Sequence, residues 1–192
     1  MAGVEIDSKV IDGRIDSGVV ASLRDRLFYM RRAITFGGPG VHELGLLYGT
    51  SNDDTSARLV ALVDHIDGRV VTRNAAERTT EESLQFFSLI RDVMDQEWIV
   101  LDYRYRNVMA TEESGKLALR PVDVVLLRES ELDETRDSNP GLYRLRMGQL
   151  ALSMRSVRMG HSFANGVGDS CWQSMQGLAD KYPQAWELSK RD

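Results

Sequence analysis

The chain has 192 residues, 42% of them apolar and 28% charged, which suits a globular domain with a core of its own and excludes wholesale disorder. The net charge of −5 excludes a protein that coats nucleic acid indiscriminately, since such binding is driven by phosphate neutralisation, but leaves room for a local basic face. The lone cysteine, Cys171, allows no internal disulfide, and no apolar run approaches the roughly 18 residues of a membrane helix.

The amino terminus lacks the basic-then-apolar layout of a signal peptide, so the expectation is a cytoplasmic protein with no membrane partner. Val4, Ile6, Val10, Ile11 and Ile15 alternate with acids, which predicts a short strand or an extended arm over residues 1–16. Ser17 caps an expected helix over 18–35, with Val20, Leu23, Leu27, Met30 and Ile34 on one face. Phe36-Gly37-Gly38-Pro39-Gly40 reads as a turn. Helices are expected over 41–48 and 54–66, the second turning Leu59, Leu62, Val63 and Ile66 inward.

Thr79-x-x-Glu82 is a capping box. It opens the longest helical pattern, in which Phe87, Ile90, Met94, Leu101, Tyr105 and Val108 form a stripe with Trp98 beside it. The run is one helix or two that break near Asp95, and it closes a helical amino-terminal part over 17–110. Residues 111–116 are polar and expected to loop. Pro121 starts either a helix or a strand through Leu127. The acid-rich stretch 129–137 reads as a solvated linker, so 111–139 is taken as a linker or insertion.

Asn139-Pro140 is an N-cap followed by proline at the first helical position, and it opens a carboxyl-terminal helical part over 140–192. Tyr143, Met147, Leu150, Met154 and Val157 make a buried seam. Arg144, Gly148, Ala151, Arg155 and Arg158 repeat that spacing one residue on, so a second stripe flanks the first. Between Pro140 and Arg158 there are four arginines and no acid. Two partners suit this stripe, a phosphate chain or the acidic stretch 129–137. Gly160, Gly166 and Gly168 argue against a continuous helix, and Ser170 is a candidate cap for a last one over 171–182. Trp186 and Leu188 are expected to pack the tail down.

No chemistry-bearing constellation outweighs its structural explanation. His42, His65 and His161 stand too far apart for a helix-borne metal pair, so neither metal nor cofactor is expected. His161, Ser162, Asp169, Ser170 and Cys171 share a glycine-rich stretch, yet it has no nucleophile elbow and no phosphate-cradling pattern. Asp92, Asp95, Glu97 and Asp102 read as a solvated acidic face. In Trp98-Ile-Val-Leu-Asp-Tyr-Arg-Tyr-Arg106, aromatics alternate with arginine as in a base-stacking surface, but on a helix Tyr103 and Tyr105 would point about 200° apart.

The segment Glu97-Trp-Ile-Val-Leu-Asp-Tyr-Arg-Tyr105 resembles the helix before the DNA reader in sigma-factor region 4 and in phage antitermination Q proteins. Gln149-Leu-Ala151 with Met154 and Ser156 resembles the first helix of a helix-turn-helix, and Trp172, Met175, Gly177 and Leu178 are similar to the tail of that module. The resemblance spans about the last 95 residues. It implies a late-gene regulator that binds promoter DNA and RNA polymerase, with Arg155, Ser156, Arg158, His161 and Ser162 facing DNA and Arg144 on the same basic stripe.

The expected fold is therefore mainly α, a helical bundle with a helix-turn-helix-like carboxyl-terminal part. The expected function is a non-enzymatic DNA-binding transcription regulator of the antitermination type. The alternative is a protein–protein interaction module, an inhibitor or adaptor of a host complex. A heptad seam serves intrachain and interchain packing alike, so a homo-oligomer stays open.

Overall fold

The computed structural model describes residues 2–7, 10–11, 14–15, 28–29, 31–51, 54–74 and 77–191, with the backbone alone at 2–7, 10–11, 14–15, 42–51, 54–63 and 165. In chain order these form β1 (Ala2–Asp7), β2 (Val10–Ile11), β3 (Arg14–Ile15), a 3-10 turn (Ala33–Phe36), β4 (Val41–Ser51), β5 (Asp54–Val63) and β6 (Arg69–Val70). Helix α1 (Thr80–Asp95) and β7 (Ile99–Leu101) follow, then a 3-10 turn (Tyr105–Asn107), β8 (Val108–Glu113), β9 (Lys116–Pro121) and β10 (Val125–Leu127). The chain closes with α2 (Glu129–Ser138), α3 (Pro140–Gly160), a 3-10 turn (His161–Ala164), α4 (Asn165–Lys181) and α5 (Pro183–Ser189). The fold mixes α and β; the expected helical bundle is wrong.

The strands make small antiparallel sheets, ordered β1-β5-β4, β6-β8-β9, β7-β10 and β2-β3. The helices expected over 41–48 and 54–66 are the paired strands β4 and β5. Their register runs in step to Ser51 and Asp54. The continuous apolar run from Leu59 to Val63 satisfies a helical and a strand template equally, and pairing on both edges of β5 decides it. Of the helix expected over 18–35, residues 28–29 and 31–32 are helical and tighten into the 3-10 turn; 16–27 and 30 lie outside the described residues.

Helix α1 starts where the capping box predicts. Thr79 accepts from the Glu82 N–H at 3.1 Å, and the Glu82 carboxylate accepts from the Thr79 N–H at 2.8 Å. It ends at Asp95 because Glu97 adopts φ 62° and the next residues, Ile99-Val-Leu, pair with β10. Every residue of β7 and β10 is buried, so neither strand has the alternation that marks a half-exposed one. The loop expected over 111–116 is the hairpin between β8 and β9, turned by Ser114 (φ 54°) and Gly115 (φ 75°), both left-handed as a type I′ turn requires.

The expected linker 129–137 is helix α2. Its acids sit favourably at the helix start, Leu132 is fully buried, and Glu131 receives both ends of the Arg32 guanidinium at 2.6 and 2.7 Å. Helix α3 begins at the Asn139 cap, whose side chain accepts from the Leu142 N–H. Its seam is buried as spaced, with Met147, Leu150, Met154 and Val157 all at 1% exposure or less. Residues 149–156 lie inside this single 21-residue helix, so no helix-turn-helix forms there.

As the glycines suggest, no continuous helix runs through 160–168, since α3 ends at Gly160 and a 3-10 turn precedes α4; Gly160 and Gly168 also allow close packing. A Cβ on Gly160 would lie 2.4 Å from the Tyr105 hydroxyl, and one on Gly168, inside α4, would lie 2.0 Å from the His161 carbonyl oxygen. Gly148 faces open space. Gly148→Ala therefore raises stability by about 0.5–1 kcal/mol through helix propensity, while Gly168→Ala lowers it by about 1–3 kcal/mol through overpacking. Thermal denaturation midpoints of the two variants move in opposite directions.

Arg32 holds the Glu131 carboxyl below the usual carboxylate range, against the opposing effect of burial. A depressed folded-state value means stability present above about pH 4.3 and lost as pH falls through the lower value. The unfolding midpoint drops between about pH 5 and pH 3, and Glu131→Gln, already lower at neutral pH, flattens that drop.

Candidate anion-binding site

The expected DNA-facing residues do not form one continuous face. Arg144 is exposed near the start of α3, beside Tyr143. Arg155 donates to the Arg191 carbonyl and Arg158 to the Ser189 carbonyl, each at 3.0 Å, so the end of α5 sits on this part of the stripe. Arg146, outside the stripe, is the arginine that meets α2, donating to the Glu131 carbonyl and the Thr135 hydroxyl. Among the acids of 129–137, Glu131 pairs with Arg32, Glu129 with Lys181 and Asp133 with Arg136. Ser162 is exposed, and His161 stacks on Trp172 with ring centroids 5.3 Å apart.

The glycine-rich stretch brings no nucleophile to a base. His161 Nδ1 lies 3.5 Å from Asp169 at the surface, whereas Cys171 is fully buried and its thiol donates to the Phe87 carbonyl. Burial pushes that thiol up to about 11. Among the described residues, no three His, Cys, Asp or Glu side chains are grouped to hold a metal ion.

Arginines converge elsewhere. A cavity of 280 Å³ is lined by Arg73 and Arg78 from the segment before α1, by Arg104 and Tyr105 after β7, and by Leu152, Arg155, Ser156 and Met159 of α3. Among the described residues, four arginines and no carboxylate line it. The local backbone explains the convergence. Asp102, at φ 58°, ends β7 by turning the chain onto α3, where its N–H donates to the Gln149 carbonyl. The Tyr103 N–H donates to Ser153 Oγ at 2.8 Å. Asn107 anchors the far end through the Asp102 and Asp123 carbonyls.

Within the cavity, Arg78 lies over the Tyr105 ring at 3.8 Å from its centroid, a cation–π contact. Its Nε and Nη1 and the Tyr105 hydroxyl are buried together, with the guanidinium placed to interact with that hydroxyl. Burial raises the Tyr105 hydroxyl above its ordinary value, and the Arg78 charge opposes this. Arg104 grips Asp102 at 2.5 and 2.8 Å; burial still raises that carboxyl, against the pull of Arg104. Arginine side chains that converge on one cavity favour an oxyanion there.

Arg155 and Ser156 are the expected site residues that this cavity includes. Arg73 and Arg78 carry no local signal, and Arg104 and Tyr105 lie on a second segment that no periodicity connects to the first. The aromatic-arginine string held part of the signal. Read as a helix it separates Tyr103 from Tyr105; in its extended form i and i+2 share a side, and both rings meet Phe86, at 4.4 and 4.1 Å.

No protein-family model matches the chain, no curated protein matches it in sequence, and no solved structure matches it.

The burial of Cys171 predicts that thiol-specific reagents at about pH 8 leave the native protein unmodified. The same reagents react with one thiol per chain in urea; rapid reaction of the native protein would reopen a nucleophilic role for Cys171.

Proposed function

We propose that the protein is a nucleic-acid-binding protein that holds phosphate through the arginine cavity, as a binding module rather than an enzyme. The observation that carries this reading is the cavity on which Arg73, Arg78, Arg104 and Arg155 converge, with no acid among the described residues that line it. Guanidinium forks match phosphate oxygens in geometry and charge. The overall charge of −5 suits a localised grip better than a broad electrostatic coat. This keeps the nucleic-acid partner expected from the sequence and gives up the helix-turn-helix as the means of reaching it. Promoter DNA and RNA polymerase remain partners implied by the resemblance alone.

Fluorescence anisotropy with labelled single-stranded and duplex DNA at low salt tests the reading. Binding weakens linearly in log[salt], and Arg78→Ala lowers both the affinity and the salt slope, the slope by about 1. Lys116→Ala, at the exposed β8–β9 turn, leaves both unchanged. Binding indifferent to Arg78 and to salt contradicts the reading.

A further inference from the structure

We propose that the outer face of α3 docks one helix of a partner protein, an amphipathic helix with acids flanking its apolar seam. The inference goes beyond the nucleic-acid reading and does not depend on it.

The face is defined by its spacing. Leu145 and Met159 are the two most exposed large apolar side chains among the described residues, at 56% and 63%. Both belong to α3, and the half-buried Leu152 stands midway between them in the chain. Residues seven apart on an α-helix drift by only about 20°, so the three form one line about 21 Å long. Leu142, Gln149 and Ser156 run beside it at the same period, and no charged residue interrupts either row. This is the a and d pattern of a helix that packs along another helix. It lies on the side of α3 opposite Met147, Leu150, Met154 and Val157, which the core already covers.

Gly148 marks the same face independently. It lies about 60° from Leu145 around the helix, and a Cβ there would meet nothing within 4 Å. Glycine inside a helix costs stability, and no neighbour in the described fold requires it here. The gap admits the close approach of a partner's backbone.

Charge selects the partner. From Pro140 to Gly160 the helix carries four arginines and no acid. Arg146, Arg155 and Arg158 are engaged within the fold. Arg144, next to Leu145, is exposed and forms no ion pair among the described residues. The same holds for Arg73, which shares a cavity wall with Leu152 and Met159. A second copy of the chain would set α3 against α3 and bring arginine to arginine, whereas an acidic helix meets both cations. A single helix laid along this line buries less than a standard interface, so the association is transient.

The test uses a labelled three-heptad helical peptide with leucine at a and d and glutamate at e and g, followed by anisotropy. One control peptide carries lysine in place of glutamate, and another has the first peptide's composition in scrambled order. The glutamate peptide binds with a Kd of about 10 μM, and each control binds about tenfold or more weakly. Leu145→Gln combined with Met159→Gln, both at exposed positions, lowers binding about tenfold or more and leaves the thermal midpoint unchanged. Arg144→Glu narrows the preference for glutamate over lysine. Equal binding of the three peptides, binding indifferent to the Leu145 and Met159 changes, or no binding up to about 1 mM overturns the inference. Dimerisation of the chain that those two changes abolish, seen by sedimentation equilibrium, assigns the face to a second copy and likewise overturns it. None of these outcomes touches the Arg78-dependent binding of DNA, so the nucleic-acid reading stands or falls on its own titration.

Discussion

The docking of residues 102–107 onto α3 is the constraint on which the cavity depends. Two backbone donors, from Asp102 and Tyr103, end on Gln149 and Ser153 of one helix, and the absence of a side chain at Gly160 lets the Tyr105 hydroxyl approach that helix. Asp102 accepts a left-handed backbone to make the turn, a conformation that Asp tolerates better than most residues. Once Tyr105 is fixed, its ring face becomes the platform for Arg78, and Arg104 is brought beside the α3 residues Arg155 and Ser156.

The same segment ties the surroundings together. The Tyr103 hydroxyl donates to the Phe86 carbonyl of α1, and Asn107 bridges to Asp123 before β10. A cavity walled by α3, the segment after β7 and the segment before α1 is thus held by hydrogen bonds to two helices. That rigidity matters for a binding site: donors already fixed in place lose less freedom when an anion arrives. The role of α3 differs from the expected one. Its apolar seam is core, and the later part of its arginine stripe holds the end of α5, so it contributes to the site mainly through Arg155 and Ser156.

How much the sequence made legible varied with the local signal. Caps were readable because they are chemical: Thr79 with Glu82, and Asn139 with Pro140, sit where each helix begins. The seam of α3 was readable because five residues at helical spacing leave one solution. Buried strands were not. Val125-Leu-Leu127 carries no alternation, and the Leu59 to Val63 run fits both templates. Helix α2 was hidden by its acids, since nothing local announces that Arg32, 99 residues away in the chain, supplies their partner. The break at Gly160 was legible, but the close approaches at Gly160 and Gly168 were not, because the chain alone does not say what packs there. The cavity was illegible for a related reason: its arginines belong to segments that only the fold unites, and the six residues expected to face DNA contributed two of its lining residues, both on α3.

Arginine Nε–Hε resonances followed by NMR during titration with inorganic phosphate test the central claim most directly, since Arg78 Nε is buried in the wall of the cavity. The account predicts saturable shifts at Arg78 and Arg104, with Arg144 and Arg146 unmoved and all shifts lost in Arg78→Ala. Small shifts spread evenly over the arginines, or none at Arg78 up to high phosphate, would contradict it.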